Sequence, residues 1–225
     1  MHTGKMIHQA YEETTRRTLG LWQAHPQTGE VRSAPFYHPT RLAITSGNRA
    51  GASMAGLLAH AEHAAQGDPL ADIAPPEGMH FTFFAITQAL YERPEEAEGL
   101  AELTDIFRQH CAGHVMRISD LRLVALADQL LLAGIPDEES LRVRQSLVEH
   151  LLGTSWAGKI KDRYPGAAIP QIFWHSTLLR YSAQYLPSTL RDFFHENQHQ
   201  RFGEISLPVK LVMTNYNWTD TVDLC

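Results

Sequence analysis

Read as elements, residues 41–124 run strand, helix, strand, helix, strand, and residues 128–217 give the same order again. The repeat is one of element order, not of letters. It points to an α/β (α+β) chain of two similar lobes, each a mainly antiparallel sheet with helices packed outside, facing each other across a groove. The central strand of each unit carries the same triplet. One is His80-Phe81-Thr82 in "PEGMHFTFFAIT"; the other, 95 residues on, is His175-Ser176-Thr177 in "IFWHSTLLRY".

Side chains at i and i+2 of a strand share a face. His80 therefore points with Thr82 and His175 with Thr177, while Phe81, Phe83 and Trp174 are free to bury against helices behind. Two such strands across a cleft offer two imidazoles and two hydroxyls to one bound group. That set suits displacement at phosphorus. A neutral imidazole takes a proton from water or a hydroxyl, and an imidazolium protonates the leaving oxygen on the opposite side. Threonine hydroxyls donate to the non-bridging oxygens, where charge sits in the transition state. Such chemistry needs no metal or cofactor, and its rate should be bell-shaped in pH.

With HFT at 80–82 and HST at 175–177, each inside an apolar strand, the chain resembles the 2H phosphoesterase superfamily, which includes 2′,5′ RNA ligase-like proteins and cyclic nucleotide phosphodiesterases. The resemblance implies a bilobal fold with the active site between the lobes. It further implies acid/base roles for His80 and His175 and phosphate binding by Thr82 and Thr177. It covers residues 41–217, with lobe one at about 41–124 and lobe two at about 128–217. Residues 1–40 read as an N-terminal helical extension, a cap or an interface, and 218–225 as a loose tail. The expected substrate is a nucleotide or an RNA end carrying a cyclic or 2′-linked phosphate.

Strand parity adds neighbours. Phe84 falls on the face of His80; Phe173, Leu179 and Tyr181 fall on the face of His175, where Tyr181 has a hydroxyl for a phosphate and a ring for a base. Lys159, Lys161 and Arg163 read as a basic loop before the second motif, set to draw in an anion or simply solvated. A third His-x-Thr, His38 to Thr40, contains a proline and reads as a loop or strand start.

Thirteen histidines make chance motifs common. "HENQH" at 195–199 fits the zinc-protease pattern and falls in an expected helix, so a zinc peptidase using His195, Glu196 and His199 is an alternative. A non-catalytic module binding a nucleotide or RNA end is another. "GTSWAGKI" misses a phosphate loop because Ile160 occupies the hydroxyl position, and "HAEH" at 60–63 reads as a helix face. The net charge of −6 argues against an extended nucleic-acid surface. No apolar run is long enough for a membrane span, and the N-terminus lacks a secretory apolar core, so the expected location is cytoplasmic. Cys111 and Cys225 stand in no metal spacing.

Overall fold

The longest apolar stretch, "LRLVALADQLLLAGI", reads as two strands bent at Ala127–Gln129. In the computed structural model, which describes residues 3–35, 37–38 and 40–225, it folds as that hairpin: β4 (Val115–Leu126) and β5 (Gln129–Pro136). Both strands are buried along most of their length. They form the middle of a five-stranded antiparallel sheet with β2 (Ala71–Ile73), β6 (His175–Tyr181) and β7 (Ile205–Pro208), ordered β2-β6-β5-β4-β7. A second antiparallel sheet orders β3-β1-β8-β9, from β1 (Ala43–Arg49), β3 (His80–Ala85), β8 (Lys210–Thr214) and β9 (Thr221–Asp223). Strands β3 and β6, one from each sheet, lie against each other.

The two-sheet architecture matches the sequence expectation, but the lobes are not contiguous stretches. β2 and β4, from the first unit, pair with β6 and β5 of the second, and β8 crosses back to pair with β1. The lobe limits of 41–124 and 128–217 are therefore corrected. The first sheet draws on the first unit and the C-terminus, and the second on the middle of the chain plus β2. Edge strands β2, β7 and β9 are three to four residues long, too short to leave a clear alternation.

Helix α1 (Gly4–Ala24) packs on the five-stranded sheet. Its buried Ile7, Tyr11, Thr18 and Trp22 form one helical stripe that packs on β4 and β5. Thr18 donates to the Ala125 carbonyl at 2.9 Å and Trp22 Nε1 to the Ala127 carbonyl at 3.0 Å. Tyr11 sits deepest: its hydroxyl donates to the carbonyls of Gly134 and Trp174, at 2.9 and 3.2 Å, and accepts from the Trp174 N–H at 2.9 Å. Tyr11→Phe strands that buried N–H and is expected to cost about 1–3 kcal/mol. Urea unfolding followed by circular dichroism reads this directly, and an unchanged midpoint would mean the triad is not a structural tie.

The tail is likewise built in, because β9 pairs with β8 and Trp218 is buried. Helix α4 (Glu138–Leu152) begins as its sequence signals say, with the Asp137 carboxylate accepting from the Ser140 N–H at 2.8 Å. The remaining helices are α2 (Ala55–Ala65), α3 (Leu100–Cys111), α5 (Ala157–Arg163) and α6 (Ser188–Asn197). At α6 the cap position is Pro187. Among the described residues, no helix is long and apolar enough to cross a membrane.

Candidate active site

Each His-x-Thr strand carries a one-residue bulge immediately after its threonine. In β3, Thr82 faces Gly47 and Phe84 faces Ser46, which leaves Phe83 as the extra residue. In β6, Thr177 faces Leu131 and Leu179 faces Leu130, which leaves Leu178 extra. The bulges occupy matching places 95 residues apart, as the histidines do. Gly47 makes the first possible: its φ is +153°, and an added Cβ would lie 2.2 Å from the Phe81 carbonyl oxygen.

A bulge disturbs the alternation that follows it: in β6 it exchanges the faces, and in β3 it brings Phe83 to the wall beside Phe84. His80, Thr82, His175 and Thr177 all line one cavity of about 310 Å³. Beyond the second bulge Arg180, not Tyr181, joins them on the wall. Tyr181 is buried and its hydroxyl donates to Asp68 at 2.8 Å, so the placement expected for it is corrected. Leu179 turns inward with it, fully buried. Phe84 is 2% exposed at the cavity wall, its ring stacked on Tyr164 at 5.9 Å between centroids. Phe173 lines the cavity and meets His175 edge-on at 6.0 Å.

The basic segment before the second motif is helix α5, not a loop, and a helix sends its cations to different sides. Lys159 lies over the Trp156 ring at 4.9 Å, and neither it nor Lys161 reaches the cavity, whereas Arg163 does. Arg41, Arg144 and Arg180 complete a set of four guanidinium groups on the wall. No described carboxylate lines it, although the whole chain is acidic. His38 is also on the wall and accepts from the backbone N–H groups of Thr40 and Arg41; Pro39 lies outside the described residues.

The two imidazoles are held differently. His80 Nδ1 is 2.8 Å from the Gly78 carbonyl, which can only accept, so Nδ1 carries the proton and Nε2 keeps its lone pair. Its ring stacks on Trp218 at 4.7 Å, and the Trp218 carbonyl is in turn held by Arg49 at 2.6 and 3.0 Å. Burial, offset in part by the Gly78 carbonyl and reinforced by the charges of Arg180, His175 and Arg49, lowers the His80 pKa to about 3. Burial and the charges of Arg180 and Arg144 lower that of His175 to about 4. Both shifts leave the rings neutral at pH 7. The hydroxyls of Thr82 and Thr177 make no hydrogen bond to other described residues.

Arg180 is 4% exposed, lies 4.9 Å from the Tyr37 ring and 5.4 Å from the Tyr216 ring, and sits 3.8 Å from Asp72. Its Nε, like those of Arg144 and Arg163, is buried without a hydrogen-bond partner among the described residues. None of Arg144, Arg180 and Trp218 was expected at the site. The usable signal for Arg180 was a lone cation in the otherwise apolar run "LLRY", which a buried strand tolerates only where it has a task.

The "HENQH" pattern does not form a metal site. Helix α6 ends at Asn197, so His195 and His199 do not share a helical face, and His195 packs edge-on to Trp22 at 6.4 Å. Among the described residues, no group of three or more His, Cys, Asp or Glu could hold a metal ion.

No family model and no curated protein matches the chain. Among solved structures, TT0787 of Thermus thermophilus is similar at a TM-score of 0.51 and 21% identity, over 80% of this chain and 93% of that one. LigT of E. coli, complexed with 3′-AMP, gives 0.48 and 11% over 81% and 94%. A structure described as a phosphoesterase gives 0.40 and 15% over 82% and 94%. At such identities these likenesses speak to the fold alone.

Proposed function

We propose that the chain is a metal-independent phosphodiesterase that opens a cyclic phosphate, or cleaves a 2′-linked phosphodiester, on a nucleotide or RNA end. The observation that carries this reading is the meeting of His80, Thr82, His175 and Thr177 on one cavity wall that bears four arginines and no described carboxylate. A cavity of about 310 Å³ is at the small end of ligand sites, the size of a mononucleotide rather than a long strand.

The steps follow from the side chains. The phosphorus sits between the two imidazoles, with its non-bridging oxygens on Thr82, Thr177 and Arg180. One neutral ring takes a proton from water as the water oxygen bonds to phosphorus. The other, as imidazolium, gives a proton to the ribose oxygen as its bond to phosphorus breaks. The products are a phosphomonoester and a free hydroxyl. In the reverse direction the two rings exchange roles.

With both pKa values lowered, the free protein lacks the imidazolium that this sequence of steps needs. An anionic phosphate supplies it, because a negative charge beside the rings favours their protonated forms. Binding should therefore take up protons at pH 6–7. Calorimetry with a nucleoside monophosphate in buffers of different ionisation enthalpy measures this, and uptake approaching one proton per site is expected. Zero uptake across that range would contradict the acid role. The limbs of the kcat profile should correspondingly lie above the histidine pKa values of the free protein.

The direct test is incubation with 2′,3′-cyclic nucleotides and 2′,5′-linked dinucleotides in the presence of a chelator. A phosphomonoester product supports the reading. Binding without product would favour a module that only holds such ends, and loss of product on chelation would overturn the metal-independent step.

A further inference from the structure

We propose that Arg144 and Arg163 form a second phosphate subsite, so that the substrate carries a 5′-phosphate in addition to the 2′,3′-cyclic phosphate between His80 and His175. This rests on the phosphoesterase reading above and narrows its substrate class.

Arg144 projects from α4 and is 4% exposed. Its guanidinium stacks over the Trp174 ring at 3.8 Å, and Nη2 donates to the Gln171 carbonyl at 2.9 Å. That leaves Nε buried with no partner among the described residues. Arg163, the last residue of α5, also keeps a buried Nε without a partner, and both side chains line the cavity. Neither forms an ion pair with any described carboxylate. Buried donors in folded proteins are almost always paired, so two orphan guanidinium donors on one wall are groups awaiting an acceptor. The planar guanidinium fork matches phosphate oxygens in pairs.

The arginines are also graded along the wall. The charge of Arg180 acts on both imidazoles, that of Arg144 on His175, and that of Arg163 on Tyr164 but on neither imidazole. Arg180 shares β6 with His175 and Thr177 and so belongs to the reacting phosphorus, whereas Arg144 and Arg163 reach the cavity from α4 and α5. Phe173 and Tyr164 line the same cavity and offer rings to the nucleoside body. Arg180 is already paired with Asp72 at 3.8 Å, whereas Arg144 and Arg163 have no described carboxylate partner. They are cations left for a second anion on the ligand, and a terminal phosphate supplies it.

Calorimetry with adenosine 2′,3′-cyclic phosphate and its 5′-phosphorylated form tests the subsite on wild type, Arg163→Gln and Arg163→Lys. The 5′-phosphate should tighten binding to wild type by about 10- to 100-fold. That advantage should collapse toward unity in Arg163→Gln and be intermediate in Arg163→Lys. General damage to the site weakens both compounds and leaves their ratio unchanged, so the ratio is the readout. Equal affinities in wild type, or an advantage that survives Arg163→Gln, would overturn the subsite. Product formation from both compounds is followed in parallel. A 5′-phosphate advantage without hydrolysis would sink the phosphoesterase reading and leave the subsite standing; hydrolysis of both at equal affinity would do the reverse.

Discussion

Replacing either His80 or His175 with alanine should lower kcat on a 2′,3′-cyclic nucleotide by about 10²- to 10⁴-fold, the usual contribution of one positioned acid or base. The two variants should fail to similar extents, because attack on phosphorus and departure of the ribose oxygen are halves of one displacement. The double variant should lose little beyond the worse single one, since groups acting as a unit are not additive. Folding should survive. His175 makes no hydrogen bond that a buried partner depends on, and His80 donates only to the Gly78 carbonyl. Circular dichroism and a substrate-analogue binding curve separate loss of chemistry from loss of structure. If both variants stay folded and turn over at the wild-type rate, the assignment of acid and base is wrong. If His80→Ala weakens affinity alone, the site binds and does not catalyse.

How far the site was legible in the sequence depends on where strand alternation holds. Two His-x-Thr triplets, each at the start of an apolar strand, brought four residues to one cavity because parity needs only two residues to be trustworthy. Beyond the threonine it fails in β6, whereas in β3 Phe84 still reaches the wall and Phe83 joins it. A bulge has no dependable signature of its own; at β3 the hint lies on the partner strand, in Gly47, and at β6 there is only Leu178 among other leucines. That single extra residue exchanges Tyr181 for Arg180 on the wall. The lobe limits failed for another reason. Element order was readable, but β8 beside β1 and β2 beside β6 are pairings between distant segments, which no local pattern encodes. The basic cluster failed on helix geometry. Lys159, Lys161 and Arg163 are close in sequence, yet on α5 they diverge, and one of the three reaches the cavity. Trp218 escaped because a "tail" of polar residues hid a buried aromatic that stacks on His80.

Arg180 carries the second large expected effect. Arg180→Met keeps most of the buried volume and removes the charge, and it should lower kcat/KM by about 10²- to 10³-fold, as loss of one donor to transition-state charge does. Charge on the non-bridging oxygens grows as the bonds to phosphorus rearrange, and Arg180 is the cation whose field reaches both imidazoles. Its guanidinium, held between Asp72 and the paired rings of Tyr37 and Tyr216, is fixed before substrate arrives, so no reorganisation is needed at the moment of reaction. The same positive charge opposes protonation of His80 and His175. Its removal should therefore raise both pKa values in the free protein, observable as upward-shifted imidazole titrations by NMR. Arg144→Met should move His175 alone, because Arg144 acts on that ring only. Arg180→Lys retains the charge and loses the fork; both imidazoles should then stay depressed while the rate falls to an intermediate value. A structural role for Arg180 predicts lower stability with unshifted histidine titrations. Unshifted titrations in Arg180→Met, together with wild-type turnover, would remove this arginine from the reaction.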